Sequence, residues 1–196
     1  MTKKADTILD TTIQLFLRDG ARKITMDDIA ENSNVSKVTI YKYFADKDTL
    51  YREIGARIFS EYIFRLIQLV SSGDALVSKL YRFLDVICDF TDSGRLALCA
   101  ELAKYNSDVG GDYERYLQTY KRSLTALIDE GMREGLLKSG LERDMVFYYI
   151  DMGVAYYQQN ADYRNRMLQE RRFQREFLLF YMSHIFADGV TPLSST

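Results

Sequence analysis

The stretch Thr25-Met-Asp-Asp-Ile-Ala-Glu-Asn-Ser-Asn-Val-Ser-Lys-Val-Thr-Ile-Tyr-Lys-Tyr-Phe-Ala-Asp-Lys-Asp-Thr-Leu-Tyr51 decides how the chain reads. Thr25, followed three residues later by Asp28, makes a capping box, in which each side chain bonds the other's otherwise unpaired backbone amide. A helix is expected to start there. Met26, Ile29 and Ala30 share one face at helical spacing, and Asn32, Ser33 and Asn34 then break the run with residues that favour turns and tolerate a left-handed backbone. Ser36 is placed to cap a second, very short helix from Lys37 to about Phe44. Its inward positions are Val35, Ile40 and Phe44, so Lys37, Val38, Thr39, Tyr41, Lys42 and Tyr43 point largely outward. Asp46 caps the helix that follows.

Two tyrosines, a valine and a threonine interleaved with lysines are a costly surface unless they meet a partner. Duplex DNA supplies one: lysine pairs with phosphate or guanine acceptors, hydroxyls bond phosphate oxygens, and a valine or threonine methyl meets a thymine methyl. Two helices joined by a short turn allow the second to enter the major groove while the first crosses the backbone.

Residues 5–54 resemble the N-terminal domain of the TetR family of bacterial transcriptional regulators. The resemblance rests on the Thr-x-x-x-Ile-Ala start at Thr25 to Ala30, the pair Val35 and Ser36, and the run Thr-Ile-Tyr-x-Tyr-Phe-x-x-Lys-x-x-Leu from Thr39 to Leu50. One departure stands in the turn, where Ser33 and Asn34 replace the family's usual Ala-Gly; asparagine is the next most tolerant residue for a positive φ. The resemblance implies an all-α protein: a helix-turn-helix DNA-binding domain at 1–50, an effector-binding and dimerisation bundle at 51–187, and a disordered polar tail at 188–196. It implies a homodimer, most often a repressor, that binds a palindromic operator with half-sites about 34 to 36 Å apart and is released by a small-molecule effector. On this reading Lys37 and Val38 reach bases, Tyr41 is shared, Thr25, Thr39, Tyr43 and Lys47 position phosphates, and Ser36 and Lys42 complete the face.

Composition agrees with helices, since the 196 residues include a single proline. A 50-residue helical headpiece buries too little apolar surface to stand comfortably alone, so its helices should lean on the rest of the chain. The net charge of −2 argues against a protein that coats nucleic acid. In residues 1–50, eight Lys or Arg are matched by eight Asp or Glu, so few phosphate contacts per subunit are expected, and binding should depend on two subunits. The absence of a long uncharged apolar run or a signal-peptide pattern leads to the expectation of a soluble, cytoplasmic protein without membrane contact. Cys88 and Cys99 read as ordinary buried thiols.

Beyond the headpiece, the first helix spans about Lys3 to Arg18, and a fourth runs from after Asp46 to about Val70, joining headpiece to body. Helices are expected from Leu76 to about Phe90, Ser93 to Tyr105 and Tyr113 to Gly131, with Asn106 to Gly111 as a loop. Two long aromatic helices close the chain, at about Glu142 to Ala161 and Arg164 to Ala187. In the second, Phe173, Phe177, Phe180, Tyr181 and His184 are assigned to one stripe, and in the family the last two helices form a four-helix dimer interface.

Tyr62, Phe83, Tyr105, Tyr116, Tyr120, Tyr148, Tyr149, Met152 and Tyr156 fall on helices that in the family surround a ligand cavity. Tyrosine suits an apolar or aromatic effector, offering a flat face and a hydroxyl. The same side chains could instead fill a solid core, and Glu101 and Asp151 are the acids best placed for a cationic ligand.

An enzyme needs a constellation that this sequence lacks. It has one histidine, His184, and no phosphate loop, nucleophile elbow or paired metal-binding motif, so no catalysis, cofactor or metal is expected. Two other classes remain: a helical co-regulator or protein-interaction module without its own effector, and a ligand carrier without DNA affinity.

Overall fold

A computed structural model describes residues 2–190, apart from the side chains at positions 171 and 175. Among the described residues there are ten α-helices: α1 Lys3–Asp19, α2 Met26–Ser33, α3 Lys37–Tyr43, α4 Lys47–Ser71, α5 Leu76–Asp92, α6 Arg95–Leu102, α7 Ser107–Arg133, α8 Arg143–Gln159, α9 Ala161–Gln169 and α10 Arg171–Ser183. The only pairing of extended backbone among them is an isolated bridge between Leu137 and Phe186. The chain forms two compact units, one of residues up to Phe64 together with Phe90–Gln118, the other of Arg65–Asp89 and the residues from Thr119 onward.

In the first unit the apolar stripes of short helices converge. Ile8, Leu9 and Phe16 of α1, Ile29 of α2, Ile40 of α3, and Leu50 and Ile54 of α4 are all buried, each such side chain contributing ~1.5 to 3 kcal/mol. Arg57 of α4 ties α1 down through Asp6 at 2.7 Å and Asp10 at 3.0 Å. The three reader helices would be short of core by themselves, and the unit is enlarged by α6 and the first part of α7. A Cβ at Gly55 would stand 2.9 Å from the Val109 methyls, so only glycine lets α7 approach α4 this closely. Phe59, Tyr62, Phe90 and Tyr116 form an aromatic cluster there, with Tyr62 stacked on Phe90 at 4.0 Å.

The second unit is built on Leu80 and Phe83 of α5, Leu124, Leu127 and Ile128 of α7, and Val146 and Ile150 of α8, all buried. Lys79 and Glu130 form an ion pair at 2.9 Å with little exposure on either side chain. The corner after α7 turns at Gly135, with φ of 67°, and is held by backbone bonds from Lys138 to Ile185 and from Ala187 to Leu136.

Two expectations from the sequence are corrected. Asn106 to Gly111 is not a loop: α7 begins at Ser107, the Asn106 side chain accepts from the Asp108 amide at 3.0 Å, and the fully buried Val109 fixes the turn that carries Gly110 and Gly111. The helix expected from Arg164 to Ala187 is two helices, because Glu170 leaves helical geometry at φ −107° and ψ 82°. Arg166 bridges that break, pairing with Glu170 at 3.1 Å and lying 3.9 Å above the Phe173 ring. Of the tail expected to be disordered, residues 191–196 lie outside the described residues, while the Val190 amide still closes a turn onto Ala187.

Candidate DNA-reading face and ligand cavity

The reading face is assembled by caps. The Thr25 hydroxyl and the Thr25 amide each donate to the Asp28 carboxylate at 2.7 Å, bonds that hold that carboxyl below its ordinary range, and the Asp28 amide donates back to the Thr25 hydroxyl at 3.2 Å. Asn34 takes the left-handed conformation, φ 54° and ψ 40°, the sharp turn for which glycine or asparagine is needed. Ser36 then caps α3 by accepting from the Thr39 amide at 3.1 Å, and the two hydroxyls are 2.8 Å apart. Ile40 and Phe44 anchor α3 in the core while Val38 is 80 % exposed and Tyr41 44 %. Lys42 is exposed, and Thr39 and Tyr43 are half-buried.

Two of the face's lysines are already engaged. Lys37 pairs with Asp27 of α2 at 2.9 Å, and that hydrogen bond raises its pKa. The Lys47 ammonium donates to the backbone oxygens of Ala21 at 3.1 Å and Ile24 at 2.6 Å and lies 5.5 Å from the Tyr51 ring centroid. Burial lowers its pKa, while the charge of Asp28 acts in the opposite sense. Lys47 therefore fastens the loop between α1 and α2, a role that spacing alone did not suggest.

The second unit contains an apolar cavity of about 270 Å³ between α5, α8, α9 and α10. Tyr149, Met152 and Tyr156 line it, joined by Leu84, Ile87 and Cys88 of α5, Tyr163 of α9, and Phe177 and Tyr181 of α10. Tyr149 and Tyr181 clasp α8 to α10: their rings stack at 4.4 Å, the Tyr149 hydroxyl donates to the Tyr181 backbone oxygen at 2.8 Å, and the Tyr181 hydroxyl donates to the backbone oxygen of Tyr149. Gly153 permits this approach, since a Cβ there would sit 2.8 Å from the Tyr181 Cζ. Burial pushes the Tyr163 hydroxyl up to about 12.

The other aromatic candidates are placed differently. Tyr62 and Tyr116 are buried in the aromatic cluster of the first unit, and Phe83 packs against Tyr120 at 5.4 Å in the second. Tyr120 gives its hydroxyl to Asp151 at 2.8 Å, so that acid is turned away from the cavity, whose lining does not include it. Tyr105 is partly exposed beside Tyr51, and Tyr148 is 63 % exposed. The stripe assigned to α10 divides, because successive helical positions differ by about 100°: Phe177 and Tyr181 face the cavity, whereas Phe180, 65 % exposed, meets the exposed His184 at 4.8 Å. Phe173 is half-buried under Arg166.

Sequence comparison joins this geometry to known proteins. The profile of the family described as bacterial regulatory proteins, tetR family, matches residues 8–54, the span from α1 into α4. Residues 8–54 belong to the TetR family of regulatory proteins. The chain is a DNA-binding transcriptional regulator with a helix-turn-helix reader. It is 26 % identical over 134 residues to the uncharacterized HTH-type transcriptional regulator YhgD of Bacillus subtilis, covering 68 % of this chain and 69 % of that one. It is 25 % identical to the biofilm operon icaADBC HTH-type negative transcriptional regulator IcaR of Staphylococcus epidermidis, covering 61 % of this chain and 64 % of the relative. In fold it is similar to a putative transcriptional regulator from Saccharomonospora viridis solved in complex with choline, with a TM-score of 0.72 at 17 % identity over 93 % of this chain and 97 % of that one. Among the described residues, no helix is long and apolar enough to cross a membrane.

Proposed function

We propose that this regulator is a homodimeric cytoplasmic repressor that reads a palindromic operator with α3 and lets go of it when a small molecule occupies the second unit. The observation that carries the reading is the exposed row Val38, Tyr41 and Lys42 on a helix set by the left-handed turn at Asn34. Lys37 and Val38 are assigned to bases, with Tyr41 shared. Thr25, Thr39, Tyr43 and Lys47 are assigned to phosphates, with Ser36 and Lys42 completing the face. Repression is supported by the negative regulator among the relatives. The effector's place is the apolar cavity bounded by Tyr149, Met152 and Tyr156, and the complex of a fold neighbour with choline supports ligand responsiveness in general. Because α4 and α7 each contribute to both compact units, a change in one has a covalent route to the other; coupling of ~1 to 3 kcal/mol is typical.

The test is selection of bound duplexes from a randomised pool by the purified protein at moderate salt. Enrichment of a twofold-symmetric motif is expected. A folded protein that enriches nothing at low salt would overturn the reading in favour of a protein-interaction module.

A further inference from the structure

Two acids, Asp27 and Asp28, stand in the first turn of α2. Asp28 closes the capping box with Thr25. Asp27 turns to α3 instead, and its carboxylate meets the Lys37 ammonium at 2.9 Å from Oδ1 and 3.0 Å from Oδ2. Both side chains are open to water, Lys37 by 46 % and Asp27 by 74 %, and an ion pair so placed adds little to stability. A negative charge in the first turn suits the dipole of α2, yet it repels the phosphates that a reader of duplex DNA has to approach. Asp27 therefore works against general DNA affinity, and its effect on Lys37 is what gives it a use. Lys37 is the first residue of α3, and the N-terminal residues of a reading helix are those that meet base edges. An unpaired lysine is a point charge on a flexible four-carbon stem, free to swing to any phosphate in reach. Held by a carboxylate, its charge is matched and one side of its ammonium is fixed, while an ammonium has three donors in all.

We infer that Asp27 is a positioning residue for base readout: it cancels the pull of Lys37 on phosphate and holds the ammonium for a base edge, so that α3 selects guanine at one position of each half-site. The inference rests on the assignment of Lys37 to bases in the proposed function. Guanine presents two acceptors in the major groove, N7 and O6, whereas adenine sets an amino donor beside its N7 and cytosine offers a donor. A lysine already neutralised by Asp27 gains nothing from a wrong base by sliding to the backbone, and a stem already pinned has less freedom to lose on docking. Asp27 thus lowers affinity for DNA at large and raises the contrast between right and wrong sites.

The test compares wild type, Asp27→Asn, Asp27→Glu, Lys37→Met and the double variant Asp27→Asn/Lys37→Met, all as the full chain. Each is titrated against the duplex enriched from the randomised pool, against versions of it substituted at each half-site position, and against a non-specific duplex, over a series of salt concentrations. Asp27→Asn should bind the non-specific duplex about tenfold more tightly at low salt, with a salt dependence steeper by about one ion per subunit. It should also lose about tenfold in discrimination at a single guanine position of each half-site, and a repeat of the selection should lose the guanine there. Asp27→Glu, which keeps the charge, should stay near wild type in both. In the Lys37→Met background Asp27→Asn should remove no further discrimination, because the one acts through the other. If Asp27→Asn does not fold, Asp27→Ser takes its place. Discrimination and salt dependence both unchanged in Asp27→Asn would overturn the inference, as would an equal loss on every duplex together with a lower melting midpoint, the mark of a purely structural role. Lys37→Met that discriminates as well as wild type defeats the assignment of Lys37 to bases, whereas a loss in Lys37→Met that Asp27→Asn does not share defeats only the role of Asp27.

Discussion

Replacing Lys47 by methionine keeps the aliphatic stem and removes the ammonium. In the folded protein that ammonium donates to Ala21 and Ile24 at 3.1 and 2.6 Å. A hydrogen bond to a charged group is worth ~1.5 to 3 kcal/mol when well buried. Lys47 is half-exposed, so water competes and also rescues part of what the carbonyls lose; the summed cost is then ~1 to 3 kcal/mol. For a chain of this size each kcal/mol moves the melting midpoint by ~2 to 4 °C, giving an expected fall of ~2 to 12 °C. An ammonium has three donors, and with two committed the third remains for a phosphate. The variant should therefore also lose about one ion per subunit from the salt dependence of operator binding, on matched and mismatched sites alike. Thermal and urea unfolding supply the first number, and salt titrations of operator affinity the second. An unchanged midpoint together with a reduced salt slope would show that Lys47 serves only phosphate, and that the loop before α2 is held by something else.

Lys37→Ala should relax discrimination at one base pair of each half-site by ~1 to 3 kcal/mol; equal losses on matched and mismatched duplexes would remove it from base readout. Gly153→Ala should cost ~1 to 3 kcal/mol in urea unfolding by forcing Tyr181 off α8, and a neutral result would show that the α8–α10 clasp gives way freely. Glu130→Gln strands a buried ammonium at Lys79 and should cost ~3 to 5 kcal/mol, with much of that recovered by Lys79→Met in the same chain; additive losses would refute the pairing. The Asp28 carboxyl is depressed by its bonds to Thr25, so its contribution is present above the unfolded value of about 3.9 and is lost as pH falls through the lower folded value. Asp28→Asn should accordingly flatten acid unfolding below about pH 4, and an identical acid limb would mean the box adds nothing.

The reader was legible because its signals are local. Thr25 and Asp28, Asn34, and Ser36 each act within three or four residues, and a cap works the same way whatever lies beyond it. Gly110 and Gly111 misled for the complementary reason: glycine's preference for loops is weak, and burial of Val109 against Gly55 overrides it. Nothing in the sequence around Glu170 announces a helix break; there is no glycine or proline, and the bend is stabilised by Arg166 reaching Glu170 and Phe173. The cavity was half legible. Periodicity identifies which face of a helix is apolar but not whether that face meets filled or empty space, so Tyr62, Tyr116 and Phe83 were indistinguishable from Tyr149 and Tyr156. Tyr163 escapes the sequence reading because it falls in the gap between the helices expected at Glu142 to Ala161 and Arg164 to Ala187, where the structure starts α9. Gly153, a glycine inside a strongly helical run, was the one available pointer to the close approach of α8 and α10.

The charges on the reading face connect its chemistry to the second unit. Of the three lysines on or beside α3, Lys37 is shared with Asp27 and Lys47 with two carbonyls; Lys37 and Lys42 are both exposed. Each lysine diverted to phosphate must first give up or share an internal partner, so one subunit gains little from DNA. With matched acids and bases in residues 1–50 and a net charge of −2, no general field makes up the deficit. The proposed twofold operator would, because once one reader is seated the second would bind at the effective concentration set by its tether to the first. Under that arrangement operator affinity depends steeply on how the subunits pair. On the proposed reading, an effector that changes how the two readers are spaced needs no large distortion of the reader itself, since α3 can keep its caps, its core anchors and its ion pairs and still lose the second half-site.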